Sequence, residues 1–289
     1  MVEQLAIIGP GTLGLSLARW AAECGLRVTL AGRNLDHAKR GLLLADQSWE
    51  MAVRKGRISD EQRQKARVQV CPCNTWEAAV DGACWVLEAL PESLEVKARA
   101  WARLDPLLPD EVSRLTGTSS IPTAAIHAAS AMGPPLLAFH CFLPLERMSI
   151  VELAGPDNVQ EQVLERALRL AARLGRRVAM VKDQAGFAAA RMALAQGLEA
   201  MRLLEANVAS ARDLDALLTQ GYGHPVGPLE LSDRIGLDLR LTIAEQIYSS
   251  TGDSRFAPPE ILRRMVDQGN LGVKTGAGFF KWDERGKRS

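Results

Sequence analysis

The stretch QLAIIGPGTLGLSLARWAAECGLRVTLAG, residues 4–32, contains two short apolar runs separated by a glycine turn and a helix-like segment. The first run ends at Gly9, the segment Thr12–Cys24 has apolar residues at helical spacing, and Gly25 follows it. Strand, turn, helix and strand within about thirty residues have the size of a βαβ unit. The stretch therefore predicts a parallel sheet that begins near the N-terminus.

The turn inside this unit has the pattern GxGxxG, with its glycines at Gly9, Gly11 and Gly14 and with Thr12 and Leu13 between the last two. Between a strand and a helix, this pattern is typical of dinucleotide binding. The first glycine permits the turn, the second admits a pyrophosphate and the third lets the helix pack on the strand. An ordinary glycine turn is the alternative.

Short apolar runs continue to alternate with helical patterns up to about residue 185. Further strands are predicted at Val68–Cys71, Cys84–Leu90, Val112–Thr116, Leu136–Phe142 and Arg177–Val181. Helices are predicted between most of them, at Asn34–Lys55, Ser93–Leu104, Pro122–Ala131 and Val159–Leu174. This alternation is typical of an α/β protein with a doubly wound, mostly parallel Rossmann-type sheet.

Beyond Asp183 only helices are predicted. They cover Phe187–Ala206, Ala211–Leu218, Leu229–Ile235, Leu237–Ser250 and Pro259–Asp267. We therefore expect a dinucleotide-binding domain at residues 1–184 and a smaller all-helical domain at residues 185–289.

The end of the second strand indicates which dinucleotide binds. An NAD-selective domain carries Asp or Glu there, about 20 residues after the glycine turn, to hold the ribose 2′-hydroxyl. This chain has Gly32 followed by Arg33. A guanidinium can pair with a 2′-phosphate, whereas a carboxylate would repel it. Gly32 and Arg33 therefore favour NADP(H). NAD(H) is the alternative if Arg33 is a solvated arginine that only stacks on adenine. Arg33→Ala with Gly32→Asp should reverse the preference.

Composition argues against several classes of partner. The chain has 289 residues, 47% of them hydrophobic, and a net charge of +1, which gives no indication of nucleic-acid or membrane binding. MVEQLAIIG leads directly into a strand pattern without a basic segment before an apolar one, so we expect a protein without a targeting segment. The odd count of five cysteines favours reduced thiols and a cytoplasmic location. Cys71 and Cys73 lack a second pair for zinc, so no metal is expected.

Seven ordered motifs span nearly the whole chain. They are GPGTLG, LEALPESLEVK (Leu87–Lys97), GTSSIPTAAI (Gly117–Ile126), FHCFLP with VEL behind it, KDQAGF (Lys182–Phe187), GHPVGPLELSDRIGLD (Gly223–Asp238) and LGVKTGAGFFKW (Leu271–Trp282). In these motifs the chain resembles the 3-hydroxyacyl-CoA dehydrogenase family. The resemblance implies hydride transfer between nicotinamide and the 3-hydroxyl carbon of a β-hydroxyacyl thioester. It also implies that the helical domain binds substrate and forms a homodimer.

The resemblance implies a role for each of several residues. His140 corresponds to the general base, Glu152 to the carboxylate that orients its imidazole, and Ser119 to the hydroxyl that contacts the substrate oxygen. Glu92 and Lys97 correspond to residues beside the cofactor. The basic cluster Arg54, Lys55 and Arg57 lies where the family holds the CoA nucleotide, although a solvated helix end is the alternative.

The residue types agree with these roles. Histidine titrates near neutral pH, which suits a base for an alcohol, and a carboxylate on its second nitrogen would fix the tautomer. His140 ends a predicted strand, where catalytic residues of open parallel sheets lie. The alternatives are a satisfied core histidine for His140, a helix N-cap for Ser119 and a solvated helix lysine for Lys97.

Three positions depart from the family pattern, which has asparagine at each. They are Gly117, Leu143 and Ala190, and all three changes remove amides from the expected substrate pocket. Losing one positioned donor can lower turnover by about 10²–10³. We therefore expect acetoacetyl-CoA to be a poor substrate, and the preferred substrate to carry either its own polar group or a bulkier apolar acyl segment near Leu143 and Ala190.

These departures leave more than one function open. The first is a catalytic enzyme for another acyl group on CoA or acyl carrier protein, or for a free hydroxy acid. The second is a degenerate NADP-binding sensor or structural protein, against which the retention of His140 and Glu152 argues. The third is a dehydrogenase of the 6-phosphogluconate type with a lysine base, against which FHCFLP and VEL argue.

Overall fold

The computed structural model of the chain describes residues 3–131, 133–157 and 159–288. It divides into two compact units, Met1–Phe187 and Ala188–Ser289. The first is an α/β unit and the second is helical, so the predicted fold class is confirmed.

The first unit is built on one eight-stranded sheet in the order β3-β2-β1-β4-β5-β6-β7-β8. The strands are β1 (Gln4–Ile8), β2 (Arg27–Ala31), β3 (Val70–Cys73), β4 (Trp85–Glu88), β5 (Ser113–Thr116), β6 (Leu137–Cys141), β7 (Ile150–Gly155) and β8 (Arg177–Lys182). Neighbouring strands are parallel except β6 and β7, which are antiparallel.

Helices cover both faces of this sheet. They are α1 (Thr12–Glu23), α2 (Leu35–Arg54), α3 (Asp60–Arg67), α4 (Trp76–Val80), α5 (Leu94–Leu104), α6 (Thr123–Ser130) and α7 (Glu161–Arg173). Successive β1 side chains point to opposite faces, so Leu5 and Ile7 join one apolar core while Ala6 and Ile8 join the other. Burial on both faces explains why β1 is continuously apolar.

Four elements differ from the sequence-based prediction. Strand β7 was not predicted, and β3 lies two residues later than Val68–Cys71 because Val68 is 76% exposed. Helices α3 and α4 were also not predicted. Helix α3 is almost entirely polar, and its N-terminus is held by a capping box in which Ser59 and Gln62 each bond the other's backbone.

The second unit contains five α-helices within its described residues. They are α8 (Ala189–Glu205), α9 (Ala211–Ala216), α10 (Pro228–Ile235), α11 (Leu237–Thr251) and α12 (Glu260–Asp267). The buried Asp233 carboxylate of α10 holds the segment that follows α12, because it accepts from the backbone of Phe279 and Phe280 and from Trp282 Nε1, each at 2.9 Å.

Arg240 of α11 is an unusual member of the second unit's core. Its side chain is buried, at 3% exposure, and burial lowers its pKa to about 10. Nε and Nη2 have no hydrogen-bond partner among the described residues. A buried charge without a counterion costs stability.

Three properties of the described part of the chain bear on other classes of function. None of its helices combines the length and the apolar character that crossing a bilayer requires. No group of three or more His, Cys, Asp or Glu side chains in residues 3–131, 133–157 and 159–288 could hold a metal ion. All five cysteines are free thiols.

Candidate active site

The candidate site lies at the carboxyl ends of the parallel strands β1, β4, β5 and β6. These four strands are consecutive in the sheet, so the segments that follow them share one edge. Gly9 follows β1, Glu92 follows β4, Ser119 follows β5, and His140 is the penultimate residue of β6. The fold therefore brings GPGTLG, LEALPESLEVK, GTSSIPTAAI and FHCFLP to the same edge of the sheet.

The glycine turn after β1 fits a dinucleotide. Gly9 has a φ of +116°, and a Cβ atom there would lie 2.6 Å from the carbonyl oxygen of Ala89. A Cβ at Gly14 would overlap the carbonyl oxygen of Gly9, whereas one at Gly11 would meet nothing within 4 Å. Helix α1 then begins at Thr12 without a side-chain cap. Open space in front of Gly11 and the uncapped backbone N–H groups suit a pyrophosphate.

The segment after β2 is held in place by three hydrogen bonds. Trp76 Nε1 donates to the carbonyl oxygen of Gly32 at 3.1 Å. Asn34 caps α2 by accepting from the backbone N–H of His37 at 2.9 Å, and the backbone N–H of Arg33 donates to His37 Nδ1 at 3.3 Å. The Arg33 side chain is exposed. The fold thus presents Arg33 on an ordered turn, with His37 as a neighbour that the sequence analysis did not identify.

A buried ion pair lies at the end of β4. Lys97 Nζ is 3.1 Å from Glu88 Oε1, and both side chains are 0% exposed. Thr116 Oγ1 and the backbone N–H of Leu90 donate to the same carboxylate, each at 2.6 Å. Lys97 is therefore not a solvated helix lysine, and that alternative is wrong. Glu88 was missed because a glutamate inside an apolar strand pattern gives no signal of its partner.

Glu92 connects the ends of β4 and β5. Its Oε1 accepts from Thr118 Oγ1 at 2.8 Å, from the backbone N–H groups of Ser119 and Ser120 at 2.9 Å, and from Ser120 Oγ at 2.9 Å. Its Oε2 is 3.6 Å from Lys97 Nζ. Burial raises the pKa of the Glu92 carboxyl, but the Lys97 charge and these hydrogen bonds outweigh burial, so the pKa lies below its ordinary 4.5.

Ser119 lies exposed on the loop that Glu92 holds. It does not cap the following helix, because α6 begins at Thr123 and Asp183 accepts from the backbone N–H groups of Thr123 and Ala124 at 2.7 and 2.8 Å. The N-cap alternative for Ser119 is therefore wrong. Its hydroxyl remains available to a ligand at the sheet edge.

His140 and Glu152 form a direct cross-strand pair. They are register partners in the antiparallel ladder between β6 and β7, and His140 Nδ1 donates to Glu152 Oε2 at 2.7 Å. His140 is 9% exposed and its ring lies 4.8 Å from the Phe142 ring and 6.0 Å from the Phe187 ring, measured between centroids. Because Nδ1 is engaged, Nε2 is the ring nitrogen that can exchange a proton with substrate.

The three expected pocket residues lie in different parts of the chain. Leu143 follows β6 and is 43% exposed. Gly117 follows β5, where a Cβ atom would lie 2.5 Å from Leu13 Cδ2, so a larger side chain requires Leu13 to move. Ala190 belongs to α8 of the second unit. The role of all three in a substrate pocket stays a prediction.

Part of the basic cluster lines a cavity of the first unit. Lys55 and Arg57 line it together with Arg19 of α1, Met51 of α2 and Arg147 from the loop after β6. Glu23 and Glu146 line the same cavity, so its four cationic side chains outnumber two carboxylates. The arrangement can receive an anionic group.

Models of two protein domains match nearly the whole chain. The NAD-binding domain of 3-hydroxyacyl-CoA dehydrogenase matches residues 4–184, and the C-terminal domain of the same enzyme matches residues 186–282. The chain belongs to the 3-hydroxyacyl-CoA dehydrogenase family. The predicted family is therefore confirmed, as is its class, an oxidoreductase with an NAD-binding domain.

Relatives and solved structures agree with this assignment. The chain is 31% identical to a 3-hydroxybutyryl-CoA dehydrogenase of Mycobacterium tuberculosis, over 97% of this chain and 99% of the relative. It is 30% identical to a probable 3-hydroxybutyryl-CoA dehydrogenase of Bacillus subtilis, over 98% and 99% respectively. The crystal structure of (S)-3-hydroxybutyryl-CoA dehydrogenase PaaH1 from Ralstonia eutropha matches 98% of this chain and 100% of its own, with a TM-score of 0.93 and 26% identity.

Proposed function

We propose that this 3-hydroxyacyl-CoA dehydrogenase family member reduces or oxidises the 3-keto or 3-hydroxy carbon of a β-hydroxyacyl thioester, with NADP(H) as the preferred cofactor. The observation that carries the proposal is the His140–Glu152 pair at the carboxyl edge of the sheet, with a 2.7 Å bond that leaves Nε2 for the substrate. This arrangement supports proton exchange at an alcohol carbon.

In this proposal each residue of the site has its own role in the reaction. The nicotinamide, when bound, accepts or supplies the hydride. His140 Nε2 takes the hydroxyl proton during oxidation and returns it during reduction, and Glu152 stabilises the imidazolium that forms in between. The Ser119 hydroxyl contacts the substrate oxygen. Glu92 positions Ser119, because its carboxylate accepts a hydrogen bond from the Ser119 backbone N–H at 2.9 Å.

The preference for NADP(H) is supported by the end of β2. The family match covers an NAD-binding domain, and within it Gly32 and Arg33 replace the acid that NAD-selective domains carry there. Arg33 is exposed on an ordered turn, so its guanidinium can reach a 2′-phosphate. Glu92 and Lys97 complete the cofactor site in this proposal.

The substrate is proposed to be an acyl thioester on CoA or on an acyl carrier protein. Support comes from the names of the relatives and from the cavity in which four cationic side chains outnumber two carboxylates, an excess of positive charge that favours a phosphate group. The exposed Leu143 supports an apolar acyl segment longer than that of acetoacetyl-CoA. A free hydroxy acid is the alternative. It is less well supported, because a free acid has no phosphate group to occupy the basic cavity.

The decisive experiment is a panel of reduction rates with NADPH. It compares acetoacetyl-CoA, longer and aromatic 3-ketoacyl-CoA thioesters, their acyl-carrier-protein counterparts and free 3-keto acids. We expect a longer thioester to give the highest kcat/KM and His140→Gln to lower kcat by about 10³. Acetoacetyl-CoA as the best substrate would contradict the pocket assignment. Turnover that survives His140→Gln and is lost in Lys97→Met would indicate a lysine base, and no turnover of any member would indicate a sensor or structural protein.

We also propose that residues 1–184 bind the dinucleotide and that residues 185–289 bind substrate and form a homodimer. The second unit presents an apolar groove lined by Leu203, Leu214, Leu217 and Leu218, and Leu217 is 59% exposed. Exposed apolar surface of this kind is typical of subunit interfaces. Sedimentation velocity should show a dimer that Leu217→Lys weakens.

A further inference from the structure

The ring of His37 packs against Gly32 at the end of β2. A Cβ atom at position 32 would lie 2.7 Å from His37 Nδ1, 2.9 Å from Cγ and 3.0 Å from Cβ. Non-bonded heavy atoms prefer separations of about 3.5–4.0 Å. The imidazole therefore fills the space into which any side chain at position 32 would extend.

His37 cannot simply rotate away from that space. Its own Cβ is one of the three close atoms, and its backbone N–H is tied to the Asn34 side chain in the first turn of α2. Its Nδ1 also accepts from the backbone N–H of Arg33 at 3.3 Å, so rotation would break that bond. The ring is thus fixed by the helix on one side and by the Arg33 backbone on the other.

The same hydrogen bond determines which ring nitrogen is a donor. With Nδ1 accepting from Arg33, the proton of the neutral ring lies on Nε2. Nε2 makes no hydrogen bond within residues 3–131, 133–157 and 159–288. A donor beside the Arg33 turn is complementary to phosphate oxygens.

We propose that His37 is a specificity-determining residue of the cofactor site. It excludes a carboxylate from position 32, and it supplies an N–H donor next to Arg33 for the 2′-phosphate. The proposal rests on the proposed preference for NADP(H) and extends it from Arg33 to a second residue. It also corrects the expectation that Gly32→Asp with Arg33→Ala is enough to reverse the preference, because the new aspartate has no room while His37 remains.

The test compares Gly32→Asp, His37→Ala and the double variant with the unmodified protein. Dissociation constants for NADH and NADPH are measured by fluorescence titration, and Tm by thermal unfolding. Gly32→Asp should lose NADPH binding, gain nothing for NADH and have a lower Tm. The double variant should bind NADH about tenfold more tightly than Gly32→Asp, because the carboxylate then reaches the ribose. His37→Ala alone should weaken NADPH binding about tenfold and leave NADH binding unchanged.

Two further variants make the result decisive. Alanine at position 37 keeps the Cβ atom at 3.0 Å, so Gly32→Asp with His37→Gly removes the remaining contact. Gly32→Asp with His127→Ala removes a histidine from α6 instead and should behave like Gly32→Asp. Equal NADH affinity in Gly32→Asp and in both position-37 double variants would overturn the proposal.

Failure of the proposed cofactor preference gives a different result. If the unmodified protein binds NADH more tightly than NADPH, and Arg33→Ala changes neither constant, the preference for NADP(H) is wrong. The comparison of Gly32→Asp with its double variants still reports whether His37 excludes the carboxylate, since it uses NADH alone.

Discussion

The bond between His140 and Glu152 predicts non-additive kinetics. Its 2.7 Å length is that of a charge-assisted hydrogen bond. Such bonds contribute about 1.5–3 kcal/mol, against about 0.5–1.5 kcal/mol for neutral ones. Glu152→Gln keeps an oxygen acceptor for Nδ1–H and removes only the charge, so about 1.4 kcal/mol of imidazolium stabilisation is lost. We therefore expect kcat to fall about tenfold.

His140→Gln should have a larger effect. General-base catalysis contributes about 10²–10⁴ to the rate, so kcat should fall by about 10³. Because Glu152 acts only through the imidazole, the double variant should be no slower than His140→Gln alone. If His140 and Glu152 acted independently, the two effects would multiply and kcat of the double variant would fall by about 10⁴.

The assay is the initial rate of NADPH oxidation with the best 3-ketoacyl thioester of the panel, measured on all four proteins. NADPH dissociation constants should stay within about twofold, since neither side chain lies at the glycine turn or at Arg33. Tm identifies any variant that is merely misfolded. A double variant about tenfold slower than His140→Gln, with normal NADPH binding, would refute the role of Glu152 as an orienting partner.

Three other predictions follow from buried or exposed groups. Arg240→Met should raise the free energy of unfolding by about 1–3 kcal/mol, because it removes a guanidinium that is 3% exposed and has two atoms without partners among the described residues; a lower stability in denaturant titration would contradict it. The lowered pKa of Glu92 means that its stabilisation is complete above its ordinary pKa of 4.5 and is lost as pH falls below it. Tm should therefore fall between about pH 5 and pH 3 less steeply in Glu92→Gln than in the unmodified protein. Parallel curves of Tm against pH for the two proteins would contradict this prediction. Leu143→Asn should raise kcat/KM for acetoacetyl-CoA about tenfold relative to longer thioesters, and an unchanged ratio would show that the exposed Leu143 does not contact the acyl group.

The sequence predicted the sheet well where strands are buried on both faces. Strand β1 is apolar throughout, so its existence and bounds were clear. Strand β7 was missed because it carries Glu152 in its interior, and the reason for a charge at that position is a partner on β6. Helix α3 was missed because only Ala66 is buried, which leaves no apolar periodicity to detect. Its capping box at Ser59 and Gln62 was the available signal.

The site shows the same division between local and long-range information. The glycine turn was readable because its requirements are local: a positive φ at Gly9 and close packing at Gly14. The roles of Lys97 and His37 were not readable in the same way. Lys97 pairs with Glu88 across the start of α5, and His37 folds back on Gly32 only because α2 begins at Leu35. Side-chain spacing in a sequence does not specify such contacts until the helix start is known.

The cross-strand position of His140 and Glu152 also affects how this enzyme can diverge. Their alignment is set by the ladder between β6 and β7 and not by the loop at residues 142–149 that joins the two strands. Insertions or deletions in that loop can therefore accumulate without disturbing the dyad, whereas a one-residue deletion inside β7 would turn the carboxylate to the opposite face of the sheet. Because Leu143 lies in the loop, the proposed acyl pocket can vary while the proposed proton-transfer pair is kept.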